Sequence, residues 1–151
     1  MTPLETDHLS DLIARKRACL AELRDLGRRQ MALIETGSMT QLLKVLAAKQ
    51  HLIGVLQGIE QALAPFRDQD PQQRRWRSPA DRAQCAEQAD LCGQLLREIV
   101  AQEKESEGRM LQRRDEAAAR LRHVHAAAQA RGAYQDGTAV RTGMLDLASE
   151  G

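Results

Sequence analysis

Aromatic residues are almost absent from this chain of 151 residues, which contains one Phe, one Trp and one Tyr. Sheets favour aromatic and β-branched side chains, whereas the contacts between helices can be built from Leu, Ile, Val, Met and Ala. Hydrophobic residues still make up 42% of the chain, which is enough for one core. The composition therefore predicts an all-α domain.

An excess of charge and a long apolar run are also missing. The 22 Lys and Arg residues nearly balance 21 Asp and Glu residues, which gives no reason to expect nucleic-acid binding. No apolar run approaches the roughly 20 residues that cross a bilayer, and no signal sequence is recognisable, so we expect a cytoplasmic protein without membrane insertion. The three cysteines lack zinc-motif spacing and fit a reducing compartment.

The first two helices are predicted over residues 3–36 and 39–64. Thr2, Pro3 and Glu5 form a start signal for the first helix, and Gly37 supplies the left-handed residue that commonly ends a helix. Ser38 begins the second helix, and Pro65 closes it. A connection this short predicts that the two helices form an antiparallel hairpin.

A third helix is predicted over residues 79–131. Ser78, Pro79 and Asp81 form its start signal, and no later proline interrupts it. Its length of roughly 80 Å at 1.5 Å per residue is closer to a coiled-coil element than to an ordinary globular helix. Residues 132–151 have no sustained periodicity and are predicted to form a mobile tail. We therefore expect one domain over residues 1–131, an extended coiled-coil-like three-helix bundle.

Charged residues interrupt the apolar faces of these helices. Lys16, Lys49 and Glu103 each occupy such a face, where an unpaired charge would be costly. We predict that Glu103 pairs with Lys49 or Lys16; alternatively, the lysines reach outward to water and Glu103 faces solvent. Three leucines are predicted to be deeply buried in the core: Leu23, Leu56 and Leu96.

No arrangement of residues predicts catalysis. His123 and His125 are two apart on a helix and point in different directions, so they cannot form a helical metal pair. Cys85 and Cys92 are one heptad apart and are interpreted as small core residues rather than as a redox pair. There is no phosphate-binding glycine loop and no nucleophile elbow, so we expect no enzyme activity, cofactor or metal. Trp76, between arginines, could stack on a base or on a peptide aromatic; more often such a tryptophan pins a linker to the bundle.

Several segments together resemble a known family, the FlgN-type flagellar export chaperones. They are the first helix with LIARKRACLAELRDL, the turn ETGSM, the second helix with LLKVLAAKQHLIGVLQGIEQAL, the long helix with LLREIVAQEKESEGRML, and a tyrosine-bearing C-terminus from Tyr134 onward. The resemblance covers nearly the whole chain. It implies a cytosolic, non-enzymatic chaperone that holds the hook-filament junction proteins unassembled before type III export, with the substrate contact in the C-terminal region. The resemblance does not decide whether the protein also contacts the export apparatus.

The lengths of the helices also predict where a partner binds. The first two helices span roughly 50 and 40 Å and cannot cover a third helix of roughly 80 Å, so coverage should end near Gly108. Beyond it, a thinner, alanine-rich apolar stripe could receive an amphipathic helix, with the tail folding over it. The alternative is a scaffold that homodimerises through this stripe; we expect a monomer or a weak homodimer. The predicted substrate-binding residues are Met110, Leu111, Ala117, Leu121, Val124, Ala128, Tyr134, Met144, Leu145 and Leu147.

Overall fold

The computed structural model describes the backbone of residues 2–149 and the side chains of residues 2–135. Within these limits it contains three α-helices, one short 3-10 helix and no strand, which confirms the all-α prediction. The α-helices are α1 (Glu5–Thr36), α2 (Met39–Arg67) and α3 (Pro79–Ser149), and the 3-10 helix is Pro71–Gln73. The chain divides into two compact units, a first unit of residues 1–109 and a second unit of residues 110–151.

The hairpin between α1 and α2 forms where the sequence predicts it. Gly37 adopts the left-handed conformation, with a φ of 72°, and its N–H donates to the carbonyl of Leu33 at 2.9 Å. Glycine adopts this conformation without steric cost. Ser38 occupies the N-cap position of α2, but its hydroxyl makes no capping hydrogen bond; its carbonyl accepts from the N–H of Leu42.

The first two helices differ slightly from their predicted limits. α1 begins at Glu5 rather than at residue 3, because the carboxylate of Asp7 accepts the N–H of Leu4 at 2.9 Å and so caps the helix there. α2 continues through Pro65 to Arg67, since Phe66 is buried in the core and holds the last turn in place. The prediction that the second helix ends at residue 64 was therefore three residues short.

α3 begins as predicted but is longer. The N–H of Asp81 donates to the hydroxyl of Ser78 at 3.1 Å, which is the expected cap. The helix was predicted to end near Arg131, yet it extends to Ser149 and so includes most of the segment predicted as a tail. Gly132 lies within this helix, where glycine weakens helical structure without ending it.

In the first unit, each helix buries residues in alternating steps of three and four, which is the heptad pattern of a coiled coil. The expected coiled-coil-like bundle is thereby confirmed. On α2 the positions that follow this pattern, all buried or half-buried, are Leu42, Val45, Lys49, Leu52, Leu56, Ile59, Leu63 and Phe66. On α3 the corresponding positions are Cys85, Gln88, Cys92, Leu95, Ile99, Gln102, Ser106 and Arg109.

Of the three leucines predicted to be deeply buried, Leu23 is buried, Leu56 is half-buried, and the prediction for Leu96 was wrong. Leu96 is 37% exposed, and its neighbour Leu95 packs in the core instead. The core position follows Cys92 by three residues rather than four, and two adjacent leucines fit either choice. The main apolar cluster comprises Leu9, Leu12, Cys19, Leu20, Leu23, Ile59, Leu63, Phe66, Cys85, Cys92 and Leu95.

The linker between α2 and α3 is tied to the start of α1. The hydroxyl of Thr6, which is buried, donates to the carbonyl of Arg75 at 2.6 Å. Arg77 makes hydrogen bonds of 2.6 to 3.0 Å to both carboxylate oxygens of Asp7. Trp76 is half-buried against the core, as the interpretation of a pinned linker requires. The linker therefore fixes the entry of α3 into the bundle.

Candidate functional site

The second unit exposes large apolar side chains on its helix. Leu121 is 71% exposed, Val124 63%, Leu111 44% and Met110 43%. None of the side chains described between residues 110 and 135 is buried. Scattered single leucines are common on surfaces, so these residues indicate a binding surface only if they share one side of the helix.

Five of the predicted binding residues do share a side. At about 100° per residue, they fall in a stripe roughly 60° wide, with Leu111 beyond one edge. Tyr134 is 79% exposed and lies roughly 80° beyond the other edge, as far from the stripe as Leu111, so its role in binding stays a prediction. Met144, Leu145 and Leu147 lie outside the described side chains. The five residues, hereafter the α3 stripe, are Met110, Ala117, Leu121, Val124 and Ala128.

The α3 stripe follows a different heptad register from the core positions of the first unit. Those core positions end at Ser106 and Arg109, and the same register would continue through Arg113 and Glu116, which are charged. The stripe starts instead at Met110, one residue later. A shift of this kind redirects the apolar side of a helix. The apolar residues of the second unit are therefore not a simple continuation of the core positions on α3.

Arginines line one edge of the α3 stripe. Residues 110–135 contain five arginines and only two acidic residues, whereas the chain as a whole is nearly neutral. Helical periodicity places Arg113, Arg120 and Arg131 along the same edge. A partner with acidic residues beside its apolar face would complement this edge.

Polar side chains inside the first unit form a separate cluster. Lys49 is 7% exposed; its ammonium donates to Oε1 of Gln30 at 2.6 Å and also pairs with Glu103. The predicted pairing of Glu103 with Lys49 is thus confirmed, although the Glu103 side chain is half-exposed. Lys16 instead pairs with Glu60 at 2.7 Å. The sequence did not predict Glu60 as the partner of Lys16, because only charged residues assigned to the apolar faces were considered as partners.

Gln102 of α3 lies beside a glycine of α1. Its amide donates to the carbonyl of Arg24 at 3.1 Å, and a Cβ added at Gly27 would collide with the Gln102 side chain. By contrast, a Cβ added at Gly54 or Gly58 would meet no atom within 4 Å. Within the chain, the close approach therefore occurs at Gly27 and not at Gly54 or Gly58.

The cysteines have the properties of core residues. All three are free and buried. Burial raises the pKa of the Cys19 thiol, with a smaller contribution from Glu22, and burial likewise raises the pKa of Cys92. Reactive cysteines have lowered pKa values, because the thiolate is the nucleophile. Their chemistry is therefore that of small apolar side chains.

The described residues include no group of three or more His, Cys, Asp and Glu side chains that could hold a metal ion. His125 lies 3.3 Å from the amide of Gln129, one turn further along the same helix. None of the helices, as far as they are described, combines the length and the apolar character needed to cross a membrane.

Comparison with known proteins gives no identification. No protein-family model, no curated protein and no solved structure matches this chain. A functional assignment therefore depends on the sequence resemblance and on the surface chemistry of the α3 stripe.

Proposed function

We propose that this protein is a non-enzymatic export chaperone of the FlgN type, which acts in the cytoplasm and holds hook-filament junction proteins unassembled before type III export. The observation that supports this proposal is the exposure of the α3 stripe. Leu121 and Val124, in its centre, are more than half exposed although both are strongly apolar. Apolar anchors at helical spacing are the means by which an amphipathic helix is bound by a helical partner.

The side chains of the stripe indicate what kind of segment it binds. Ala117 and Ala128 are small and leave room beside Leu121 and Val124 for the larger apolar side chains of a partner helix. Arg120 and Arg131 favour acidic residues on the adjacent edge of that helix. The substrate segment is therefore an amphipathic helix with bulky apolar residues and one acidic edge.

Calorimetric titration of the full chain with the terminal helix of a candidate junction protein tests this proposal. Leu121→Glu and Val124→Glu should each weaken binding at least tenfold, because a charge would have to be desolvated in the contact. Ala119→Glu is the matched control, since Ala119 is exposed on the opposite side of the same helix. Equal losses in all three variants, or unchanged affinity in the first two, would contradict the proposal.

The alternative function is a coiled-coil scaffold that homodimerises through the same stripe. The heptad spacing of Met110, Ala117 and Val124 is compatible with it. Light scattering distinguishes the two functions. A stable dimer that Leu121→Glu converts to a monomer, together with no binding of the terminal segment, would favour the scaffold.

A further inference from the structure

The outward side of α2 carries almost no charge. Opposite its core positions, helical periodicity places an exposed row of residues, all of them uncharged. Between Met39 and Pro65 the only charged residues are Lys44, Lys49 and Glu60. Lys49 is buried, Glu60 is paired with Lys16 and Arg67, and Lys44 lies at the edge of the row. This row, the outer α2 face, consists of Leu43, Ala47, Gln50, Gly54, Gly58 and Gln61.

Apolar side chains extend this face on both sides. Leu43 is 58% exposed and Met39 64%, while Val55 and Ile53 are more than one third exposed. The exposed positions of α1 are different in kind, since they include Arg15, Arg17, Glu22, Asp25, Arg28 and Arg29. The centres of protein interfaces are depleted of charge, so a long uncharged face is a candidate contact surface.

We propose that the outer α2 face is the contact between two copies of this protein. A charged partner surface would lose its hydration against this face without gaining an opposite charge. Among the described faces of the first unit, the outer α2 face itself is the long uncharged surface that matches it. The contact is therefore isologous, with the same face contributed by both copies.

The overall charge and the size of the face agree with such a pairing. Residues 1–109 contain 16 of the 22 basic residues and 16 of the 21 acidic ones, so two first units do not repel each other by net charge. Residues 39–65 of α2 span roughly 40 Å, and one helix-to-helix contact of that length is small beside the roughly 800 Å² per partner of a standard interface. We therefore expect a dimer that exchanges with the monomer.

Gly54 and Gly58 lie in the middle of the face. A Cβ added at either position would meet no atom of the chain within 4 Å, so these glycines serve no packing purpose inside the bundle that the structure shows. Each weakens the helix by about 1 kcal/mol relative to alanine. In the dimer they let the two α2 backbones approach closely. The proposal uses only the first unit and does not depend on substrate binding by the α3 stripe.

Sedimentation equilibrium of the full chain over a wide concentration range tests the proposal, with the dimer expected for the wild type. The double variants Gln50→Glu with Gln57→Glu, and Gln50→Lys with Gln57→Lys, should each dimerise at least tenfold more weakly, because like charges face each other. An equimolar mixture of the two should restore the dimer. The mixture should restore the dimer whether the two α2 helices are parallel or antiparallel, since in either case each Glu of one variant faces a Lys of the other. Ala18→Glu, at an exposed position of α1, should dimerise like the wild type.

Three results would overturn the proposal. The wild type could remain monomeric at every concentration, either double variant could dimerise as well as the wild type, or the mixture could fail to restore the dimer. A dimer that is lost in Leu121→Glu but kept in both glutamine double variants would place the contact on the α3 stripe instead. Gln50 and Gln57 are both exposed, and circular dichroism verifies that the helices persist in each variant.

Discussion

Lys49 donates a hydrogen bond of 2.6 Å from its ammonium to the side-chain oxygen of Gln30, inside the bundle. Gln30 is only 3% exposed and Lys49 only 7%, so both are core residues. Glu103 of α3 joins them from the edge of the bundle. The three helices thus meet in a polar layer, and a polar group at a core position of a coiled coil specifies its register.

Lys49→Met should destabilise the first unit by about 1 to 3 kcal/mol, because the buried amide of Gln30 would lose its partner. Adding Gln30→Leu to that variant should recover much of the loss, since no buried polar group would then remain unpaired. Denaturant unfolding of both variants measures this. A double variant less stable than Lys49→Met would show that the polar layer stabilises the fold by other means.

The pairing of Lys49 with Glu103 should contribute less to stability than the hydrogen bond of Lys49 to Gln30, because the Glu103 side chain is 51% exposed. Glu103→Gln should cost less than about 1 kcal/mol. A double-mutant cycle between the two positions should give a coupling of about 0.5 kcal/mol or more, as expected of residues in direct contact. Additive effects would mean that Glu103 is in practice a solvent-facing residue.

Two adjacent leucines give a sharp test of the core register. Leu95→Ala should destabilise the protein by about 2 to 5 kcal/mol, because Leu95 is 8% exposed and packs in the main apolar cluster. Leu96→Ala, at a position 37% exposed, should cost less than about 1 kcal/mol. A larger loss of stability for Leu96→Ala than for Leu95→Ala would show that α3 packs with Leu96 inward, which is the register predicted from the sequence.

The sequence predicted the number of helices, the hairpin and its glycine turn, because these depend on local signals such as Gly37. It could not choose between Leu95 and Leu96, because both fit an apolar stripe and only the neighbouring helices decide. It also missed the partner of Lys16, since Glu60 was not among the charged residues assigned to the apolar faces. For the candidate site, five stripe residues followed from periodicity, whereas Tyr134 was assigned by resemblance and lies outside the stripe.

Asp7 and Arg77 should make stability depend on pH in the acid range. Hydrogen bonding to Arg77 lowers the pKa of Asp7 below its usual 3.8, and the pKa of Arg77 is raised by the same contact. A carboxyl with a lowered pKa in the folded state stabilises the protein above its unfolded pKa and loses this effect as the pH falls through the lowered value. Thermal unfolding should therefore show Asp7→Asn less stable than the wild type at neutral pH, with the difference vanishing in strong acid. A difference that persists unchanged in strong acid would have another cause.

The buried cysteines should resist alkylation in the folded protein. Burial excludes the reagent, and the raised pKa values of Cys19 and Cys92 reduce the fraction of reactive thiolate at mildly alkaline pH. Mass spectrometry after treatment with iodoacetamide should show slow labelling that becomes fast on unfolding. An Ala126→Cys variant, at an exposed position of α3, supplies the control thiol and should react at once. Native labelling of Cys92 at the control rate would contradict its burial.

Removing residues 110–151 should leave a folded first unit. Every described side chain that is buried lies between Thr6 and Ser106, and the 3.1 Å ion pair of Arg109 with Glu35, which ties α3 to α1, is kept by the truncation. The free energy of unfolding should therefore change by less than about 1 kcal/mol, with a cooperative transition in denaturant. Ending the chain at residue 95 is the control, because it removes Ile99 and Ser106 and should abolish cooperative unfolding.

The chain that ends at residue 109 should also lose all affinity for the terminal helix of a junction protein. If it unfolds without cooperativity, the second unit is part of the folding core; if it keeps that affinity, the binding site lies in the bundle.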